Sequence, residues 1–189
     1  MNERRLPRGW PGLSGVGASF ALSEYFGGAM ETPEQLTHFR DQYNAWERDV
    51  IRTYGWAIQY VLGDEDGPPF AYTVGLSGFD HPELIAFGLG QQNSAALLND
   101  LGERVRAGET LRHGQLVSFA GWAHHAVLVT VPDSSEHLLG ANAAYRSTGG
   151  PAIPALQAVY NDVGGRFPWH DGYTIPSEIQ PVLGSVPSG

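Results

Sequence analysis

The sequence predicts an α+β fold: a mainly antiparallel, strongly curved sheet, of which the split barrel is one form, packed with two main helices. Two observations carry this prediction. The 189 residues include 25 Gly and 13 Pro, a proportion that favours many turns between short strands. One long segment with helical periodicity is followed by several short apolar runs and a second helical segment, and this mixture of elements indicates an α+β domain rather than a helical bundle.

The first predicted helix begins after Thr32 and stops at Gly55. Thr32 suits the N-cap, Pro33 suits the first helical position, and Gln35 completes a capping-box pattern with Thr32. Apolar residues then recur at intervals of three and four, at Leu36, Phe39, Tyr43, Trp46 and Val50. Because this spacing places them on one helix face, we expect a helix that lies on the sheet and ends at a left-handed glycine.

Six apolar runs predict strands. They span residues 56–62, 70–75, 84–89, 115–119, 122–131 and 155–160. The first two runs flank a turn-rich connection, which predicts a hairpin, and the third contains no polar residue, which is typical of a strand buried on both faces. A second helix is expected from Asn93 or Ser94 to Gly108, and a short helix is expected between residues 136 and 150.

The remaining segments suggest how the chain is divided. Residues 1–30 are rich in glycine and aperiodic, which predicts a loosely ordered N-terminal arm. Residues 31–173 form the single α+β domain, and residues 174–189 form a proline-rich C-terminal tail.

Charge and composition exclude several classes of partner. There are 20 acidic and 11 basic residues, a net charge of -9, and such a surface repels nucleic acid and anionic membranes. The chain has no cysteine, which rules out disulfides and thiolate chemistry. No apolar run reaches the ~18 residues of a membrane span. The expectation is therefore a soluble, cytoplasmic protein that binds neither nucleic acid nor membrane.

A first candidate site segment runs from the strand at 70–75 into a loop. Tyr72 and Thr73 lie in the strand, and His81 and Glu83 lie in and just after the loop. Polar side chains in loops at strand ends are held in place by the rigid sheet, so these four residues are candidate site residues. The alternative is purely structural: His81 and Pro82 would form a turn before the buried strand.

A second candidate segment spans residues 161–173 and concentrates Arg166, Trp169, His170 and Tyr173 in an irregular loop. An arginine fork grips phosphate or carboxylate groups, and aromatic rings stack on flat ligands. The alternative is that the aromatic residues plug the end of the sheet while Arg166 pairs with an aspartate of the same loop.

Metal and nucleotide chemistry lack a clear signature. His124 and His125 are neighbours in a predicted strand and therefore face opposite sides. No histidine pair has the helical spacing of a zinc enzyme, so no metal site is predicted. The chain also lacks a phosphate-cradling glycine loop and the Gly-x-Ser-x-Gly elbow of serine hydrolases.

Several motifs together resemble one bacterial family, the domain of unknown function numbered 4262. They are, in chain order, GPPFAYTVGL at 67–76, HPEL at 81–84, LLNDL at 97–101 and GRFPW at 165–169. The resemblance covers residues 47–173 and implies one intact domain. It implies no activity. Where the family pattern has an aspartate after the tryptophan, this chain has His170 and then Asp171.

The leading functional hypothesis is a ligand-binding protein whose enzymatic activity the sequence leaves undecided. Its pocket, between loops 77–83 and 161–173, would hold a small flat or anionic ligand. Tyr72, Thr73, Glu83, Arg166, Trp169 and Tyr173 are its expected ligand-binding residues. His81 and His170 would transfer protons near neutral pH. The order of strands and helices suggests a flavin, by analogy with flavin-binding split barrels.

The second hypothesis is a non-catalytic module that binds a protein partner in an immunity, regulatory or assembly role. The acidic surface favours it, since a negative patch attracts basic partners and speeds their encounter. The acidic connection at 64–66 is one place where such a partner would dock.

Overall fold

The structure, a computed structural model, describes residues 19–21, 33–65 and 67–187. The helices are α1 (Pro33–Tyr54), α2 (Gly90–Arg106) and α3 (Leu139–Tyr145), with a 3₁₀ helix at Leu76–Phe79. The strands are β1 (Ser19–Ala21), β2 (Ala57–Val61), β3 (Phe70–Val74), β4 (Glu83–Phe87), β5 (Leu116–Ser118), β6 (His125–Thr130) and β7 (Ala155–Tyr160). The α+β class is therefore confirmed.

The seven strands form one sheet in the order β1-β2-β3-β4-β7-β6-β5. From β2 to β4 and from β5 to β7, each strand pairs in antiparallel fashion with the next strand along the chain. The pairs β1–β2 and β4–β7 are parallel. The sheet is therefore mixed and open, with β1 and β5 at its two edges, and the expected mainly antiparallel, strongly curved or split-barrel sheet is wrong.

Helix α2 covers one face of the sheet. Its buried residues pack on apolar side chains from six strands in a single cluster, which includes Trp56, Ile58, Leu84, Leu98, Leu101, Leu128 and Leu156. The helix approaches the sheet closely because residue 102 is glycine: a Cβ atom there would lie 2.5 Å from the Trp56 ring. Burying such large side chains contributes about 1.5–3 kcal/mol each.

The opposite face carries the end of α1, helix α3 and part of the C-terminal tail. Tyr72, Val74, Ile85 and Phe87 of the sheet form its cluster with Leu138 and other residues around α3. Side chains alternate between the two clusters along β3 and β4, as a sheet buried on both faces requires.

The first helix has the predicted bounds. It spans Pro33–Tyr54, and Gly55 follows with a φ of 99°, the left-handed conformation that glycine adopts without strain. The predicted N-cap, Thr32, lies outside the described residues. The second helix begins at Gly90, three residues before Asn93, whose side chain instead bonds back to the Leu89 carbonyl.

The C-terminal tail is tied to β7 by two buried glutamines. Gln180 accepts a hydrogen bond from the Tyr160 backbone N–H at 2.9 Å and donates to the Tyr160 carbonyl at 3.0 Å. Gln157 donates to the Pro181 carbonyl and accepts from the Leu183 N–H at 2.8 Å. Each glutamine amide bonds to one backbone donor and one backbone acceptor, as a neighbouring strand would. The tail therefore has no regular secondary structure but is held against β7 by these hydrogen bonds.

Candidate functional site

A cleft of about 1170 Å³ opens at one end of the sheet. It lies where β2 and β4 end, beside the connection between β2 and β3 and against the C-terminal tail. Its lining includes Tyr60, Val61, Leu62, Asp64, Glu65, Phe70, Phe87, Gly88, Glu136, His137, Ser177, Glu178, Ile179 and Leu183. None of the eight predicted catalytic or ligand-binding residues lines it, whereas Asp64 and Glu65 of the acidic connection predicted to dock a partner do.

Strand direction and one glycine shape this cleft. β2, β4 and β7 run in the same direction, so their carboxyl ends meet at one end of the sheet. Gly88 follows β4 with a φ of 71°. A Cβ atom at Gly88 would lie 2.5 Å from the Ile179 carbonyl oxygen, so the glycine lets the tail come close enough to form one wall.

Three rings form the aromatic floor of the cleft: Phe70, Phe87 and His137. Their centroids are 5.2 Å apart for the two phenylalanines, and 5.5 and 5.6 Å for His137 against Phe70 and Phe87. Nδ1 of His137 is buried and has no hydrogen-bond partner in the part of the chain that the structure describes. Burial lowers the pKa of His137, and the Glu136 carboxylate offsets part of this shift, so the neutral ring is favoured.

The rim of the cleft is acidic. Asp64, Glu65, Glu136 and Glu178 line it, and no lysine or arginine does so among the described residues. Glu65, Glu136 and Glu178 therefore give the described part of the rim an excess of negative charge, which favours cations over anions near the opening.

At the opposite end of the sheet, Glu83 forms a buried polar centre. Its fully buried carboxylate accepts hydrogen bonds from the hydroxyls of Thr73 at 2.6 Å and Ser77 at 2.9 Å. It also accepts from the backbone N–H groups of Gly75, Leu76 and Ser77 at 3.0–3.2 Å. Burial raises the pKa of Glu83 above its usual range, and the hydrogen bonds from Thr73, Gly75 and Ser77 offset only part of that rise. Both oxygens are satisfied, so the carboxylate holds the 3₁₀ helix on the sheet.

His81 lies in the same region with both ring nitrogens occupied. The Leu111 backbone N–H donates to Nε2 at 3.1 Å. Because an N–H only donates, Nε2 carries no proton, and Nδ1–H donates to the Pro82 carbonyl at 2.7 Å. Burial lowers the pKa of His81. In this arrangement His81 joins two loops and has no free nitrogen for a ligand.

Tyr72 belongs to a buried polar network that sequence reasoning missed. Its hydroxyl accepts from the Gly140 N–H at 3.0 Å and donates to Gln59, and Gln59 donates to Glu47. Burial raises the pKa of Tyr72 to about 12 and also raises that of Glu47. The available signal was Gln59, a polar residue in the middle of an apolar run.

In loop 161–173, the carboxylate of Asp162 organises the backbone. It accepts hydrogen bonds from the N–H groups of Gly164, Arg166 and Thr174 at 2.8–3.1 Å and from the Thr174 hydroxyl at 3.0 Å. Arg166 thus bonds to Asp162 through its backbone, and its exposed guanidinium donates to the Gly172 carbonyl at 3.3 Å.

The aromatic residues of this loop pack on one another and on the end of β7. The rings of Phe167 and Trp169 stack at 5.2 Å, and Nδ1 of His170 accepts the Phe167 N–H at 3.2 Å. Tyr173 bonds to the Tyr160 carbonyl and to Gln180. The loop therefore closes the end of the sheet next to β7.

The two candidate loops do not meet. Glu83 pairs with Ala155 in the parallel pair β4–β7, so loop 77–83 precedes these strands and loop 161–173 follows them. Six residues of β7 separate the loops by about 20 Å at ~3.3 Å per residue. The expected pocket between them is therefore wrong, and Tyr72, Thr73, His81 and Glu83 lie apart from the predicted site residues of loop 161–173.

The described residues contain neither a metal-binding cluster nor a membrane-spanning helix. No three histidine, aspartate or glutamate residues in 19–21, 33–65 and 67–187 are grouped so that they could hold a metal ion. Within the same ranges, no helix has the length and apolar character needed to cross a membrane.

Comparison with known proteins gives one match. Residues 50–174 match the model of a family described as a domain of unknown function, DUF4262, in agreement with the resemblance seen in the motifs. No curated protein and no solved structure matches the chain. The matched segment ends before Ser177, so the tail wall of the cleft lies outside it.

Proposed function

We propose that this chain, which belongs to the DUF4262 family, binds a small flat ligand in the cleft at the carboxyl ends of β2 and β4. The single observation that carries the proposal is the cleft itself, about 1170 Å³ with three clustered rings at its floor. Ligand pockets are concave, apolar and typically of about 300–1,000 Å³, so this cleft is large enough for an organic molecule.

The cleft favours binding rather than a defined reaction. Among the described residues its lining contains one histidine and several carboxylates, and Nδ1 of that histidine makes no hydrogen bond to a nucleophile. Flavin is not carried forward, because the analogy with split barrels fails for an open mixed sheet. A flavin phosphate would also face the acidic rim.

A protein partner is the second candidate, favoured by two exposed apolar side chains. Leu62 is 53% exposed and Ile179 is 45% exposed, and both line the rim of the cleft. A partner that inserts a basic side chain would cover them and contact Glu65. Such a complex would bury about 1,200–2,000 Å², far more than a small molecule covers, and Leu62→Asp would weaken it while sparing a ligand held at the floor.

The test uses substitutions that fill the cleft without disturbing the core. Ser177 is exposed and lines the cleft, whereas Ser185 is exposed in the same tail but does not line it. We expect Ser177→Trp to abolish ligand-induced thermal stabilisation and Ser185→Trp to preserve it. Mass spectrometry of molecules that co-purify with the native chain supplies the first ligands. A ligand that stabilises both variants equally would show that the cleft is not the site.

A further inference from the structure

We infer that the ligand of this cleft carries a positive charge, as an ammonium or guanidinium group attached to a flat apolar body. This inference rests on the proposed function and names the chemical class of the ligand. It replaces the expectation of an anionic ligand, which depended on Arg166. Arg166 lies in the loop after β7 and does not line the cleft.

The first argument is the charge of the rim. Glu65, Glu136 and Glu178 have exposed side chains and line the cleft together. No described salt bridge involves any of them. A low-dielectric wall beside like charges focuses their field into the opening, so a cation is attracted and an anion is repelled before either reaches the floor.

The second argument is the chemistry of the floor. Phe70, which is partly exposed, and Phe87, which is buried, both line the cleft, and aromatic ring faces attract cations through their quadrupoles. A protonated histidine between them would cancel this attraction. Burial lowers the pKa of His137 and so disfavours its charged form, although the neighbouring Glu136 carboxylate acts in the opposite direction. The floor is therefore able to hold the apolar body of a cationic ligand without opposing its charge.

The first argument concerns exposed carboxylates and the second concerns rings, and the two meet at Glu136, whose charge also raises the pKa of His137. Together they predict an order of affinity. A flat amine should bind best, its neutral alcohol should bind more weakly, and its carboxylate should bind worst or not at all.

The experiment compares three probes that share a ring and differ in charge: naphthylmethylamine, naphthylmethanol and naphthoate. Calorimetric titration of the full chain at neutral pH and low salt measures their dissociation constants. We expect the amine to bind about tenfold more tightly than the alcohol, from one cation–π contact and the rim charges together. Added salt should weaken the binding of the amine and leave the binding of the alcohol unchanged.

Matched variants locate the effect. Glu136→Gln combined with Glu178→Gln removes two rim charges. The dissociation constant of the amine should then approach that of the alcohol. Glu109→Gln is the control, because Glu109 is equally exposed and does not line the cleft. Both changes are on the surface, so both proteins should fold, which circular dichroism verifies.

The outcomes separate the two proposals. Equal binding of the three probes, or tightest binding by naphthoate, overturns the charge inference and leaves the cleft as a binding site. Failure of all three probes to bind the native chain overturns the proposed function together with the inference. Preference for the amine that survives the double variant also overturns the assignment of charge recognition to this rim.

Discussion

The carboxylate of Glu83 lies at the amino-terminal end of the 3₁₀ helix and accepts hydrogen bonds from the residues that follow β3. Three of its five donors are backbone N–H groups, which cannot reverse their direction. The surrounding donors therefore require that both side-chain oxygens of residue 83 accept hydrogen bonds. A carboxylate meets this requirement, which explains why a fully buried acidic side chain is compatible with the fold.

The first prediction concerns Glu83→Gln. The amide nitrogen of glutamine would face backbone N–H groups whichever way the side chain turned, so a donor would meet a donor. We expect a loss of about 1.5–3 kcal/mol in the free energy of unfolding, the range for a hydrogen bond to a charged group. Urea denaturation measures it, with Glu109→Gln as an exposed control. Equal stability of both variants would contradict the role given to the carboxylate.

The second prediction concerns the pH dependence of loop 161–173. Hydrogen bonds from Arg166, Thr174 and Gly164 hold the pKa of Asp162 below its usual range. A depressed folded pKa means that the stabilisation is present above the unfolded pKa of about 3.9 and is lost as pH falls through the folded value. Loop 161–173 should therefore lose this stabilisation only in acid, as the pH falls through the pKa of Asp162 in the folded protein.

Amide chemical shifts of Gly164 and Arg166 in an acid titration measure this transition. The variant Asp162→Asn has no charge to titrate, so its loop should show no such midpoint. A transition at the same pH in both proteins would assign the change to another group.

At the scale of elements, helix α2 is positioned by Gly102 against Trp56. Glycine inside a helix normally costs about 1 kcal/mol relative to alanine, so a substitution to alanine at an unobstructed position stabilises a helix. Here the added Cβ would lie 2.5 Å from the indole ring, and that ring is fully buried. Close packing therefore outweighs helix propensity at this position.

The third prediction follows: Gly102→Ala should destabilise the protein by about 1–3 kcal/mol, the usual cost of overpacking a core. The control is Ala96→Gly, on the exposed side of α2, which should cost only the propensity difference of about 1 kcal/mol. Thermal unfolding distinguishes them. A stabilised Gly102→Ala protein would mean that α2 moves freely away from the sheet.

The fourth prediction concerns the tail. Gln180 takes the place of a neighbouring strand for Tyr160. Gln180→Ala leaves the buried Tyr160 N–H without its acceptor and removes one of the two donors to the Tyr160 carbonyl, the other being the Tyr173 hydroxyl. We expect a loss of about 1–3 kcal/mol and faster proteolytic cleavage within residues 176–187. Ser185→Ala, in the exposed part of the same tail, should leave both properties unchanged. Unaltered proteolysis of the Gln180 variant would show that other contacts hold the tail.

The sequence predicts individual elements well because their signals are local. Proline, periodic apolar residues and a terminal glycine determine α1, and apolar runs determine the strands. The cleft left no such signal, because its walls come from distant segments: Phe70 and Phe87 from two strands, His137 from an ambiguous loop, and Ile179 from a tail without periodicity. Only the three-dimensional fold brings them together.

For the whole molecule, the error in the predicted sheet has a clear physical cause. The meander β2-β3-β4 and the meander β5-β6-β7 contain only antiparallel pairs between consecutive strands, which is what local patterns indicate. The parallel pair β4–β7 joins segments about seventy positions apart. No short-range pattern encodes a pairing between residues so distant, and this pairing also separates the two loops that were expected to share a pocket.

The same pairing has a consequence for how the chain acquires its structure. The longest connection within the two meanders is residues 131–154. The seam between β4 and β7 closes a loop that is longer still, so more chain entropy is lost before it forms. The seam should therefore form late in folding. Substitutions of Gln157, which lies opposite Ile85 in the seam, should mainly accelerate unfolding, while substitutions in the β2–β3 hairpin should mainly slow refolding.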